Sequence, residues 1–246
     1  MVFALIGVLA LSAGTANAAS VTATFTGVEN EEAVHLRYGA QNLYVWAGLY
    51  KFEKLSISPD STENPAFYMD DVFGGYCIDI DQRISFSQTV TWVLKPLEEA
   101  PVNLLHSPMG ADKATLLRRL WGSYFGDPHS AEFQVAVWEL LAEDPANGYD
   151  VTSGRFYATV PYNPTYDVEV DRAMINSWLD AITSPTYSGP EASVIWALTN
   201  GVTQDFAVLI ETGGQPPLIP EPLTVATVLM GCGFVVRYAR KRTSAR

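Results

Sequence analysis

The sequence predicts an α+β fold in which an antiparallel β-sandwich or barrel-like sheet carries a helical insertion. Strand-like segments fill residues 19–94, apolar residues take a helical period between 112 and 182, and two more strand-like segments follow at 192–210. This order differs from the regular strand–helix alternation that a parallel α/β sheet needs. With 246 residues, 48% of them hydrophobic, the chain is large enough for one good core.

The first predicted strands are rich in β-branched and aromatic residues, and turn-forming residues separate them. Pro59 and Pro65 predict a loop over residues 58–68, and Gly74-Gly75 predicts a turn before the third strand. The predicted strands of this region are Val21–Thr26, Leu43–Tyr50, Tyr76–Ile80 and Phe86–Leu94.

The middle of the chain carries apolar residues at helical spacing. In residues 112–124, for example, Leu117 and Trp121 fall on one face of a helix. Asp127 predicts an N-cap, with Pro128 at the first position of a second helix. The predicted helices cover residues 112–124, 128–143 and 168–182, and the strands after them cover 192–198 and 205–210, joined by an Asn200-Gly201 turn.

Residues 1–18 predict a signal peptide for export. The segment is apolar, has no charged residue and ends in Ala16-Asn17-Ala18, in which Ala16 and Ala18 form a small-residue cleavage pattern. A buried N-terminal helix is the alternative. Cleavage after Ala18 leaves a predicted globular domain over residues 19–212.

The other end of the chain predicts a short membrane helix. A Pro-rich linker at 213–219 precedes Pro220-Glu221-Pro222, and fourteen uncharged residues, 223–236, follow. This stretch is shorter than the roughly 20 residues of a typical span, so crossing needs part of the linker or a thinner bilayer. The basic residues that hold the end on the cytoplasmic face are Arg237, Arg240, Lys241 and Arg242.

The Pro-Glu-Pro triplet, the apolar stretch and the basic end resemble the PEP-CTERM sorting signal of exported bacterial proteins, here over residues 220–246. The resemblance implies processing near the triplet by an exosortase, a membrane-embedded enzyme. It also implies a Gram-negative-type envelope and a cell-surface, extracellular-matrix or biofilm setting. A plain single-span tail anchor is the alternative, and both interpretations place the domain outside the cytoplasm.

The charge balance argues against nucleic acid as a partner. Residues 19–219 hold 10 basic and 26 acidic side chains, a net charge of about −16. The other five basic residues lie among the last ten positions of the chain, and the other acidic residue is Glu221. Such a surface repels phosphate backbones.

Cys77 is an odd cysteine, because the second one, Cys232, lies in the apolar tail. An exposed Cys77 thiol would be open to oxidation in an oxidising compartment, so the residue needs an explanation. One alternative is that Cys77 is buried and acts only as a small hydrophobic residue. Fifty-seven residues later, Gln134 lies on a predicted helix with Trp138 at i+4, one turn further along the same face.

Tyr76-Cys77 and the Gln134-x-Ala136-Val137-Trp138 segment together resemble the two signatures of bacterial surface thioester domains. The same pair accompanies many PEP-CTERM signals, and Asp79 fits that pattern. Glu139 fits too, whereas Glu132 departs from it, and Thr203-Gln204-Asp205 is a weaker match to these proteins. The resemblance implies a thioester between Cys77 and Gln134, shielded from water by Tyr76 and Trp138.

In such domains the bond is a stored electrophile. The cysteine sulfur displaces ammonia from the glutamine carboxamide, and a surface amine later displaces the sulfur. We therefore expect single-turnover adhesion rather than an enzyme, with an amine-bearing surface ligand or a matrix polysaccharide as partner. One alternative is a structural or exopolysaccharide-associated matrix protein without the thioester, and a secreted hydrolase is another.

Other chemistries find little support in the pattern of residues. The three histidines are scattered and no His-x-x-His or Cys-x-x-Cys spacing occurs, so we expect no metal, no cofactor and no catalytic residue. Asp79 and Asp81 lack the loop spacing of a calcium site. A hydrolase would need two carboxylates flanking a cleft, which spacing alone does not define.

Overall fold

The computed structural model describes residues 18–102, 107–126, 128–159 and 169–210. Two long antiparallel strands, β1 (Ser20–Tyr38) and β2 (Gln41–Ser58), form a hairpin that turns at Gly39, where φ is +58°. They contain the predicted strands Val21–Thr26 and Leu43–Tyr50 but extend well beyond them. Register shifts, one of them between Glu29 and Glu32, carry the pairing through a charged stretch that sequence patterning does not favour.

Among the described residues, five shorter strands complete a single, wholly antiparallel sheet: β3 (Val72–Cys77), β4 (Thr89–Pro96), β5 (Phe156–Ala158), β6 (Ile195–Thr199) and β7 (Phe206–Leu209). The order of the strands in the sheet is β2-β3-β7-β6-β4-β1-β5. Because β1 also pairs with β2, six of the strands form a closed ring, and β5 extends the far end of β1. The chain is thus α+β with a large antiparallel sheet.

The prediction of a turn at Gly74-Gly75 is wrong, because both glycines lie inside β3. They are needed there for close packing: a Cβ on Gly74 would meet Leu49, and one on Gly75 would lie 2.9 Å from Val208. The strand predicted over 76–80 ends at Cys77 instead of beginning near it. A short 3-10 helix, Pro65–Tyr68, lies within the predicted loop.

In the part of the chain between β4 and β6 that the structure describes, there are three α-helices: α1 (Gly110–Tyr124), α2 (Ser130–Ala142) and α3 (Arg172–Thr183). The predicted helices agree with them apart from their ends. The second helix begins at Ser130 with His129 as its N-cap residue, two positions later than predicted, while Asp127 lies outside the described residues.

Helix α2 is the central element of the core. Sequence patterning predicts an apolar stripe, yet twelve of its thirteen residues are buried. The reason is that it contacts α1 and α3 as well as β1, β2, β3 and β5. Polar side chains on this helix, Gln134 and Glu139 among them, must therefore find partners inside the protein.

Within the described ranges, which stop at residue 210, no helix is long and apolar enough to cross a membrane. Residues 1–17 of the predicted signal peptide, the linker and the sorting signal lie outside those ranges, and with them Ala16, Pro220–Pro222 and Arg237–Arg242, whereas Ala18 is the first described residue.

Candidate functional site

Cys77 and Gln134, 57 residues apart in sequence, meet in the core, and both are fully buried. Gln134 Oε1 accepts a hydrogen bond from the Cys77 backbone N–H at 2.8 Å, and Gln134 Nε2 donates to the Cys77 carbonyl at 2.9 Å. The β2–β3 pairing ends at Tyr50 and Gly75, so Cys77 has no strand partner on that side. The carboxamide satisfies the two backbone groups that the sheet leaves unpaired.

The sulfur of Cys77 has three polar neighbours. Its thiol donates to the Asp79 carbonyl oxygen at 3.2 Å. It accepts from Trp138 Nε1 at 3.4 Å and from Gln204 Nε2 at 2.9 Å. Burial raises the pKa of the thiol to about 12, although these two N–H donors and the Asp79 contact act in the opposite direction. Cys77 is therefore a neutral thiol at neutral pH.

Gln134 and Trp138 are spaced i, i+4 on α2 and lie on the same face of the helix, as the sequence predicts. Gln134 and Trp138 lie one turn apart, and both reach Cys77, the first at its backbone and the second at its sulfur. Ala136, between them, is fully buried. Asp79 contributes its carbonyl to the thiol, while its Oδ1 accepts from the Asp81 N–H at 3.0 Å.

Tyr76, the predicted water shield, is buried, and its ring packs among aromatic side chains of α1 and α2. Its centroid lies 4.5 Å from Phe133 and 5.4 Å from Trp121. It therefore seals the strand against the helices, whereas Trp138 and Gln204 contact the sulfur itself.

Sequence analysis did not identify Gln204 as a residue of this site. The Thr203-Gln204-Asp205 match pointed to this segment but gave the glutamine no role. The loop between β6 and β7 holds it in place: Asp205 Oδ1 accepts from the Asn200 N–H at 2.6 Å, and the Gln204 carbonyl accepts from Trp92 Nε1 at 3.0 Å. Its side chain is pre-positioned on the sulfur, with only 7% of the residue exposed.

A pocket with a volume of about 480 Å³ lies next to this cluster. Its lining includes Trp138 and Gln204, the two donors to the sulfur, together with Tyr44 and Trp46 of β2. We call this pocket the aromatic groove. None of the described residues that line it is an Asp or a Glu, so it does not offer the paired carboxylates that a glycoside hydrolase needs.

The described part of the chain contains no group of three or more His, Cys, Asp or Glu side chains arranged to hold a metal ion. Two buried carboxyl groups nonetheless have strongly altered pKa values. Burial raises the pKa of Glu139 to about 8 and that of Asp205 to about 7. Each accepts one backbone N–H, from Asp150 and Asn200 respectively, and each has a second oxygen without a partner.

No protein-family model matches the chain. Neither a curated protein nor a solved structure matches it. The PEP-CTERM and thioester resemblances are therefore expectations of the sequence alone, and the site geometry is the independent observation.

Proposed function

We propose that this chain is an exported cell-surface or matrix protein that attaches covalently to amines through a thioester between Cys77 and Gln134. One observation carries the proposal: the carboxamide of Gln134 is held against Cys77 in a buried site, with its oxygen on a backbone N–H. Its two hydrogen bonds fix the orientation of the carboxamide plane, which reduces the entropic cost of reaction.

The bond-forming step needs no external oxidant. The sulfur of Cys77 attacks the carboxamide carbon of Gln134, and the oxygen becomes an oxyanion that the Cys77 N–H, 2.8 Å away, stabilises. When the intermediate collapses, the carbon–nitrogen bond breaks. The thiol proton, which is hydrogen-bonded to the Asp79 carbonyl oxygen in the resting state, leaves with the nitrogen as ammonia. The products are one thioester and one ammonia.

The second step releases the sulfur. A neutral primary amine attacks the thioester carbonyl, the carbon–sulfur bond breaks and the amine proton passes to the sulfur. Cys77 is again a thiol, and Gln134 is now a substituted amide. The burial of both residues favours storage of the bond, because water that would hydrolyse it is excluded until a ligand enters.

The cellular location of the protein is a separate part of the proposal. The predicted signal peptide and PEP-CTERM segment support export to a Gram-negative-type envelope, with exosortase as the processing partner and the C-terminal helix as the membrane contact. The large excess of acidic side chains supports a partner other than nucleic acid.

A second candidate function has the same location outside the cytoplasm but no thioester between Cys77 and Gln134. The Gln134 carboxamide satisfies the Cys77 backbone as a strand partner would, and the hydrogen bonds of the sulfur go to Asp79, Trp138 and Gln204. These contacts favour a structural or exopolysaccharide-associated matrix protein in which Gln134 joins α2 to β3.

Intact mass spectrometry of the purified chain separates the two candidates. We expect the protein to be lighter than its sequence by one ammonia and to gain one methylamine on treatment. Peptide mapping should place the methylamine on Gln134. Cys77→Ala and Gln134→Ala should have their full sequence masses, whereas Gln82→Leu, a control in the groove, should keep the deficit. A full mass with an alkylatable Cys77 thiol in the wild type would establish the second candidate instead.

A further inference from the structure

Large aromatic side chains line the aromatic groove and are partly exposed to solvent. On β2, Asn42, Tyr44 and Trp46 line the groove together with Leu43 and Val45, so residues from both faces of this strand contribute to it. Tyr44 is 49% exposed and Trp46 is 50% exposed. Half-exposed aromatics that line a concave site, with a volume inside the usual range of about 300–1,000 Å³, are typical of ligand binding.

The groove also carries planar polar groups. Asn42, Gln82 and Arg83 line it together with the aromatic rings. Gln82 Oε1 is buried and has no hydrogen-bond partner among the described residues. A buried acceptor without a donor costs free energy, and a ligand in the groove satisfies this oxygen only if the Gln82 side chain turns it toward the groove.

The groove leads to the sulfur. Trp138 and Gln204 form part of its lining, and both donate hydrogen bonds to Cys77 Sγ. Cys77 itself is fully buried and does not line the groove. A ligand amine in the groove is thus separated from the sulfur by these two side chains, which must shift for the amine to reach the thioester.

We propose that the aromatic groove binds an amine-bearing saccharide, a chain of hexosamine units, and presents its amine to the thioester. Sugar rings expose a face of C–H groups that packs on aromatic rings, and an ammonium group is attracted to the faces of Trp and Tyr. Hydroxyl groups match the planar polar side chains. The acidic domain attracts such a cationic polymer over longer distances.

The covalent step of this inference rests on the proposed function, but binding in the groove does not, so the experiment measures both. Binding of a glucosamine tetramer is measured by calorimetry with Cys77→Ala, which cannot form the bond. We expect Trp46→Ala in that background to weaken binding at least about tenfold, the equivalent of roughly 1.4 kcal/mol. Phe67→Ala, a comparable truncation of a 46% exposed aromatic outside the groove, should bind as the parent does.

The wild type is then incubated with the tetramer or with methylamine. Trp46→Ala should slow addition of the tetramer to Gln134 and leave methylamine addition unchanged, because methylamine needs no groove. Binding without any methylamine addition would refute the thioester and leave the groove intact. The inference is overturned if Cys77→Ala does not bind the tetramer, if Trp46→Ala binds it as tightly, or if a lysine-containing peptide binds in preference to it.

Discussion

At the scale of single residues, the state of the Cys77 sulfur depends on two opposed effects. Burial raises the thiol pKa to about 12, since a thiolate in the core would lose its hydration. The N–H groups of Trp138 and Gln204 point at the sulfur and favour the thiolate. The first effect is larger, so before a thioester forms the sulfur is a neutral thiol whose charge develops only when it reacts.

Removing one donor should therefore raise the thiol pKa further. After methylamine treatment, which leaves Cys77 as a free thiol with or without a prior thioester, the rate of alkylation is measured at pH 8. We expect Gln204→Leu to be alkylated more slowly than the wild type, because loss of one N–H donor at similar side-chain volume lowers the fraction of thiolate. Gln82→Leu, in the same groove but without a hydrogen bond to the sulfur, should react at the wild-type rate. An unchanged rate in Gln204→Leu would show that the contact is not energetically significant.

The sequence could predict one half of this site. Gln134 and Trp138 share a helical face because of the i, i+4 spacing, and a motif identified Cys77 as their partner. Gln204 and the groove could not be found in this way, because Asn42, Gln82 and Gln204 come from distant segments that only the closed sheet brings together. No local pattern encodes that contact.

At the scale of elements, strand β3 carries Cys77 between β2 and β7, and its glycines set how closely these strands approach. A Cβ on Gly75 would lie 2.9 Å from Val208 Cγ1 and 3.1 Å from the Ala207 carbonyl oxygen. One contact is with backbone, so the strands cannot relax by a rotamer change alone. The glycine is thus a packing requirement beside the site.

Gly75→Ala should lower the free energy of unfolding by about 1–3 kcal/mol, the usual cost of overpacking a core. Gly201→Ala is the matched control, since a Cβ there meets nothing within 4 Å, and we expect a change within about 0.5 kcal/mol. Urea denaturation followed by tryptophan fluorescence measures both. Equal stabilities of the two variants would mean that β3 and β7 separate easily.

The helices were easier to predict than the strands. Helical spacing and the Asp144–Gly148 stop signal located α1 and α2 to within a few residues. For the strands, the local residue types gave wrong predictions of where strands begin and end. Gly74-Gly75 has the sequence of a turn but packs inside β3. Glu29 and Glu32 continue β1 because they pair with Leu49 and Ala47 of β2 on either side of a register shift. Tertiary pairing overrides propensity at both places.

At the scale of the whole molecule, two features make the folded state sensitive to alkaline pH. Glu139 and Asp205 are buried carboxyl groups whose pKa values are raised to about 8 and about 7. The chain also has a net charge of −12, which favours expansion through self-repulsion. Asp150 has the opposite shift, since its hydrogen bonds lower its pKa to about 2, but its contribution is complete above its ordinary pKa near 4.

The sign of the effect follows from proton binding. Between the ordinary carboxyl pKa near 4 and the raised values, the folded state holds protons that the unfolded state has lost. The free energy of unfolding therefore falls as pH rises from about 4 to about 8. Because one unit of pKa shift corresponds to about 1.36 kcal/mol, the raised pKa values of Glu139 and Asp205 together predict a decrease on the order of 6 kcal/mol between pH 5 and pH 8. Urea denaturation at the two pH values measures it.

Two controls identify the cause of this decrease. The double variant Glu139→Gln, Asp205→Asn keeps the oxygens that accept from Asp150 and Asn200 and should be nearly as stable at pH 8 as at pH 5. Asp180→Asn, which removes an exposed acid, should retain the wild-type decrease. High salt screens surface repulsion but acts little on buried groups. A decrease that disappears in 1 M NaCl (a Debye length of about 3 Å) and persists in the double variant would assign it to net charge instead.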